Sequence, residues 1–146
     1  MKPVLEVKFY NSVDDSLLKF AVIISKADGK WVFCKHKERA TYEVPGGRRE
    51  PGESILDTAM WELHEETGAT DFTIEPVCVY SVTGKNRVND TGEEMYGMLY
   101  FAHISKFEAD LHSEMEKVFL FEELPTEWTY PLIQPLLIKE AARRGF

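Results

Sequence analysis

The stretch from Pro45 to Gly68, PGGRREPGESILDTAMWELHEETG, constrains the fold more than any other part of the chain. It opens on Pro45-Gly46-Gly47, which ends the short extended segment TYEVPGG and lets the backbone turn sharply and come close to another group. A polar loop, RREPGE, follows. From Ser54 the period becomes helical. Leu56, Ala59, Met60 and Leu63 fall on one face, Ser54 and Asp57 form a capping box, and Gly68 suits the C′ position. The spacing predicts a helix over 55–67, entered from a tight extended segment.

The flanking segments alternate in the manner of strands. LEVKFY reads as a first strand, and FAVIISKADGKWVFCKH as two strands around an Asp28-Gly29 turn. FTIEPVCVYSVTG and MYGMLYFAHI read as long strands joined by KNRVNDTGEE, and KVFLF as a short strand before EELP. The tail YPLIQPLLIKEAARRGF predicts a terminal helix with Pro131 in its first turn, Pro135 delaying its regular start, and Arg143, Arg144 and Gly145 at its end. This order fits an α/β fold in which a mixed central sheet carries a helix on either side. No repeat, low-complexity tract or linker divides residues 1–146, which read as one domain.

No apolar run approaches the roughly 20 residues of a membrane span, and the N-terminus does not read as a signal peptide. The chain is therefore expected to be cytoplasmic, with no membrane partner. Cys34 and Cys78 have no paired spacing and read as buried, reduced thiols. Asn89, in an NDT triplet, reads as part of a polar loop. The four histidines show no zinc-binding spacing. The formal net charge of −8 argues against a grip on nucleic-acid backbone, which needs clustered Lys and Arg. The same charge would repel a small phosphorylated substrate unless cations intervene.

The end of the predicted helix holds Glu62, Glu65 and Glu66 on one arc. Like charges at i,i+3 and i,i+4 repel by about 0.2–0.5 kcal/mol per pair, and the helix C-terminus disfavours anions further. A divalent cation removes both objections, since Mg²⁺ or Mn²⁺ takes carboxylate oxygens and completes its shell with water and substrate phosphates. Glu53 adds a fourth carboxylate at the helix entrance. The loop is not a P-loop, because Glu53 stands where the lysine would be.

Together, GGRREPGESILDTAMWELHEETGA resembles the Nudix box, G-x(5)-E-x(7)-R-E-U-x-E-E-x-G-U, with U a bulky aliphatic residue. Gly47, Glu53, Glu62, Leu63, Glu65, Glu66 and Gly68 match; Ala69 matches loosely, and Trp61 replaces the arginine. Such agreement arises by chance on the order of 10⁻⁵ times over a chain of this length. The resemblance to the Nudix (MutT-like) hydrolases covers residues 47–69 most specifically and implies an α/β/α sandwich. It also implies a Mg²⁺- or Mn²⁺-dependent hydrolase that cleaves a phosphoanhydride of a nucleoside diphosphate linked to another group: a triphosphate, an oxidised nucleotide or a capped nucleotide end.

Carried over, Glu62, Glu65 and Glu66 are the expected metal ligands, with the Gly46 carbonyl and Glu114 as further ones. Glu53, Glu65 and Glu66 are the expected catalytic carboxylates. The general base is left open among Glu65, Glu66 and Glu114. Arg48, Arg49 and Lys35 are candidates to hold phosphates. Tyr42, Tyr80 and Tyr96 are candidates to stack a base. Lys85 and Arg87 stand in a later loop as further cations. Trp61 cannot make the fork-like pair that an arginine would offer Glu65; it is expected to pack on apolar surface. Arg48 or Arg49 then substitutes as the cation, the cluster works with looser geometry, or the protein is weakly active; the first two are favoured because all the acids remain. Two alternatives stand beside the enzyme: a Nudix-fold module that binds or senses a nucleotide with weak turnover, and an acidic metal-binding or interaction domain. Oligomeric state is open between monomer and homodimer.

Overall fold

A computed structural model describes residues 5–86, 89–108 and 115–146. In chain order the elements are β1 (Glu6–Tyr10), a 3-10 turn (Asp15–Leu17), β2 (Leu18–Ala27), β3 (Lys30–His36), β4 (Gly46–Arg48), α1 (Ile55–Thr67), β5 (Ala69–Thr83), β6 (Met95–Phe107), β7 (Met115–Phe121) and α2 (Gln134–Arg143). The strands form one mixed sheet in the order β1-β5-β6-β2-β3-β7, with β4 paired to β2. Strands β2 and β6 run parallel, and every other pair is antiparallel.

The helices cover opposite faces, each over its own core. On one side Ala59 and Leu63 of α1 pack with Ala21, Ile23, Val32, Tyr100, Ala102 and Ile104. On the other, Ile133, Leu137, Ile138 and Ala141 pack with Ile24, Phe33, Val44, Tyr80, Leu99 and Phe101. The alternation in β2 accounts for this division: Ala21 and Ile23 point one way, Val22 and Ile24 the other. The expected α/β/α layering is observed. None of the described helices is long and apolar enough to cross a membrane.

The site depends on a split in the sheet. The β2–β3 hairpin turns at Asp28 and Gly29, both at positive φ, as a primed turn requires. Beyond it the two strands pair only through Lys26–Trp31 and Ala27–Lys30. The segment 43–48 then fills the gap. Glu43 exchanges both backbone hydrogen bonds with Cys34 of β3, and the Pro45 carbonyl accepts from Ile23 of β2 at 2.9 Å. Gly46–Arg48 continue antiparallel to Val22, Ala21 and Phe20. Gly46 and Gly47 are therefore a strand, where the sequence suggested a break. A side chain at Gly46 would stand 2.8 Å from the Ala21 carbonyl, so glycine is what allows the approach.

Helix α1 has the predicted bounds. Ser54 and Asp57 make the capping box, and Gly68 closes the helix at φ 77. Its inward face is rotated from the one expected. Leu56 and Met60 are each 42% exposed, while Thr58, Ala59, Leu63, Glu66 and Thr67 are buried. The reason is the split: the helix lies over the glycine strand as well as over the sheet, which draws Glu66 inward and turns Leu56 and Met60 out. At the other end of the chain, α2 starts at Gln134 with Pro135 in its first turn, so Pro131 precedes the helix. Cys34 and Cys78 are free and buried.

Candidate active site

The helix glutamates meet the split strand directly. The Gly46 N–H donates to Oε1 of Glu66 at 2.7 Å. A side chain added at Gly47 would run into the carboxyl of Glu62. The loop between β4 and α1 brings in Glu53, whose Oε1 accepts from the Glu50 N–H at 2.9 Å and from the Thr58 hydroxyl at 3.0 Å. The helix end is tied to β5 and β6. His64 Nδ1 lies 2.9 Å from the Ala69 carbonyl, His64 Nε2 lies 3.0 Å from the Glu108 carboxylate, and the Glu108 N–H donates to Gly68 at 2.7 Å.

The electrostatics follow from this crowding. Burial, and then the neighbouring carboxylates of Glu53, Glu65 and Glu50, push Glu62 up to about 7. An acid raised this way is poised to gain from a cation that replaces its proton. Glu50 was not singled out from the sequence, where REPGE reads as a turn. The residues fit a dication by charge and oxygen chemistry, and Gly47 keeps the space in front of Glu62 open. Among the described residues, no three acidic, histidine or cysteine side chains are already gathered as a finished cage. In this conformation Glu66 is turned to Gly46 and Glu53 to Glu50 and Thr58.

The remaining sequence candidates divide. Arg48 ends β4 with its guanidinium 4.9 Å from the Phe20 ring centroid. Arg49 is tied to backbone carbonyls and to Asp15, so it neither reaches Glu65 nor presents a free head for phosphate. Lys35 lies half-buried on β3. Tyr42 stands edge-on to Phe119 and Phe121, both at 5.1 Å, and so belongs to the aromatic packing. Tyr80 is buried, and the Tyr96 hydroxyl donates to Glu94 at 2.9 Å. Trp61 is 56% exposed on α1, so it is not the packing residue expected. Glu114 and Arg87 lie outside the described residues.

A cavity of about 160 Å³ opens on the α2 side of the same glycine strand. Gly46, Gly47 and Arg48 form part of its wall, with Phe20, Tyr80 and Gln134 among the others. The acidic cluster and the cavity thus lie on either side of a strand thinned to two glycines. Gln134, buried, accepts from the Val44 N–H at 2.9 Å. Asn89, expected in a plain polar loop, is buried; it donates to the Glu93 carbonyl and accepts from the Gly92 N–H. Neither carries a sequence signal, because each acts through backbone that only the fold brings near.

The NUDIX domain model matches residues 16–137. A protein of Bacillus subtilis (strain 168), YtkD, provisionally described as an 8-oxo-dGTP diphosphatase, is 36% identical over 108 residues, which is 73% of this chain. The match spans 64% of that relative's length. Among solved structures, the Bacillus subtilis pyrophosphohydrolase BsRppH superposes with a TM-score of 0.77 at 27% identity, covering 96% of this chain and 92% of that one. A NUDIX hydrolase from Nitrosomonas europaea shares the fold with a TM-score of 0.65 at 21% identity, covering 87% of each chain.

Proposed function

The chain belongs to the NUDIX family, and on that premise we propose that it hydrolyses a phosphoanhydride bond of a nucleotide with Mg²⁺ or Mn²⁺. The observation that carries the reading is the meeting of Glu62 and Glu66 with the Gly46–Gly47 strand. Glu62, Glu65 and Glu66 would hold the dication, with Glu53 and the Gly46 carbonyl as neighbours able to contribute. A bound dication supplies charge neutralisation for the phosphates and lowers the pKa of a coordinated water.

The chain's own residues set the stage around it. Thr58 and the Glu50 N–H orient Glu53, and the Gly46 N–H orients Glu66. Glu65 or Glu66 would accept the proton of the attacking water. Arg48, which lines the cavity with its guanidinium over the Phe20 ring, would meet a phosphate of the substrate. The cavity, whose wall joins the aromatic and aliphatic side chains of Phe20, Val22, Tyr80 and Leu137 to the polar groups of Asn86, Asn89 and Gln134, suits a base. The name carried by the Bacillus subtilis relative makes 8-oxo-dGTP the first substrate to try, ahead of dGTP, other triphosphates and capped nucleotide ends.

The test is phosphate and pyrophosphate release from that panel with Mg²⁺, Mn²⁺ or a chelator. Metal-dependent turnover lost in Glu62→Gln and Glu66→Gln supports the hydrolase. Nucleotide binding without turnover would replace it with the sensing module, and indifference of both binding and turnover to metal would sink the reading.

A further inference from the structure

Arg49 begins the loop that delivers Glu53, and both its main chain and its side chain are tied down. Its N–H donates to the Lys19 carbonyl at 2.8 Å. Its Nε donates to the carbonyl of Glu53 at 2.9 Å. One terminal nitrogen donates to the carbonyl of Asp15 at 2.9 Å and, at 3.4 Å, to that of Leu18. The other meets the Asp15 carboxylate at 2.9 Å. A single planar guanidinium therefore bridges the far end of the loop to the 3-10 turn before β2. The rigid fork of an arginine can make this set, whereas an ammonium point charge cannot.

Two things follow. The Glu53 carbonyl is fixed, and with it the point from which the side chain reaches Thr58 and the Glu50 N–H. The charge of Arg49 is matched by Asp15 rather than by the acids of the cluster. A guanidinium paired with Glu53, Glu62 or Glu65 would compete with a dication for the same oxygens. One anchored to carbonyls and to Asp15 orders the loop and leaves those oxygens available.

We propose that Arg49, held by Asp15, is the positioning residue that presents the Glu53 loop to the acidic helix, supplying from the loop side the ordering that Trp61 cannot supply from the helix. This rests on the reading of the acids as a dication site, and its test separates the two. Mn²⁺ is titrated into the metal-free protein without nucleotide, and free Mn²⁺ is followed by electron paramagnetic resonance for the wild type, Arg49→Lys and Asp15→Asn. Arg49→Lys binds Mn²⁺ about tenfold more weakly, the loss typical when a group that orients a ligand is removed. Asp15→Asn shows a smaller loss in the same direction; its side chain is 69% exposed, so the fold does not depend on it.

Wild-type affinity in both variants, whatever their thermal stability, overturns the proposal. A wild type that does not bind Mn²⁺ overturns the dication reading itself and the proposal with it, and the wild-type titration alone reveals this. Should Arg49→Lys fail to fold, Asp15→Asn decides: weakened binding supports the positioning role of Arg49 and unchanged binding rejects it.

Discussion

The Gly46 amide donates to Oε1 of Glu66 at 2.7 Å, joining a strand to the last turn of a helix twenty residues further on. Glu66 is only 8% exposed, and a hydrogen bond to an ionised carboxylate contributes about 1.5–3 kcal/mol. Part of the unfavourable placement of an acid at a helix C-terminus is thus offset by the protein itself.

Replacing that acid in two ways separates the bond from the charge. Glu66→Gln keeps an acceptor for the Gly46 N–H, so the stability change stays within about 1 kcal/mol. Glu66→Ala leaves the amide unpaired and costs about 1–3 kcal/mol. Both variants lose metal-dependent hydrolysis. Denaturant unfolding and nucleotide turnover, measured side by side, check the pair; equal stability for the two variants would show that the hydrogen bond contributes nothing.

The two glycines of β4 respond differently to a methyl group. At Gly47 it meets the Glu62 carboxyl, the far end of a flexible side chain; at Gly46 it meets the Ala21 backbone carbonyl. Gly47→Ala is therefore expected to unfold nearly as the wild type does while losing turnover about 10²-fold, as misplacement of a ligand of the proposed dication would cause. Gly46→Ala forces strand β4 away from β2 and costs about 1–3 kcal/mol. Thermal melts with turnover assays distinguish the two, and a reversed order would contradict the geometry.

Much of this was legible in the sequence because it is local. The bounds of α1, its capping box and the Gly68 terminus come from contacts within a turn, as does the Asp28-Gly29 hairpin. The acids of the site were legible because their like charge at helical spacing is itself anomalous. What escaped was relational. Leu56 and Met60 fit an inward stripe until the strand inserted between β2 and β3 rotates the helix over itself. Arg49 reads as a loop cation until Asp15 comes within reach from thirty-four residues earlier. Gln134, Asn89 and Glu50 have no motif, since each acts through a backbone amide, a carbonyl or a carboxylate that the chain's order does not reveal.

Crowding around Glu62 makes the metal-free protein less stable than it could be. Glu62 is surrounded by Glu53, Glu65 and Glu50, and like charges in a half-buried cluster cost a few tenths of a kcal/mol each or more. Glu62→Gln should raise the melting temperature of the metal-free protein. Saturating Mn²⁺ should stabilise the wild type, by about 2.7 kcal/mol at a hundredfold excess over the dissociation constant, and so raise its melting temperature more than that of the variant. Differential scanning fluorimetry with and without Mn²⁺ reads both shifts. A variant that melts lower without metal, or gains as much from it, would contradict the repulsion.

On the far side of the sheet, Glu140 is held by Arg143 at 2.9 and 2.6 Å and by Arg144 at 2.8 Å. The hydrogen bond from Arg143 and then that from Arg144, acting against burial, bring Glu140 down to about 2. Its folded value lies below its ordinary one, so the contribution to stability is fully present above the ordinary carboxylate range. It is lost as pH falls through the window from about 4.5 to about 2. The Arg143 side chain is two-thirds exposed, and solvent screening reduces the expected contribution at neutral pH to about 1–2 kcal/mol. Glu140→Gln should lose that much at pH 7 and show a shallower fall in stability below pH 4.5 than the wild type. Urea unfolding at a series of pH values measures the difference; parallel acid limbs for the two proteins would mean that the arginine pair does not set the acid stability of α2.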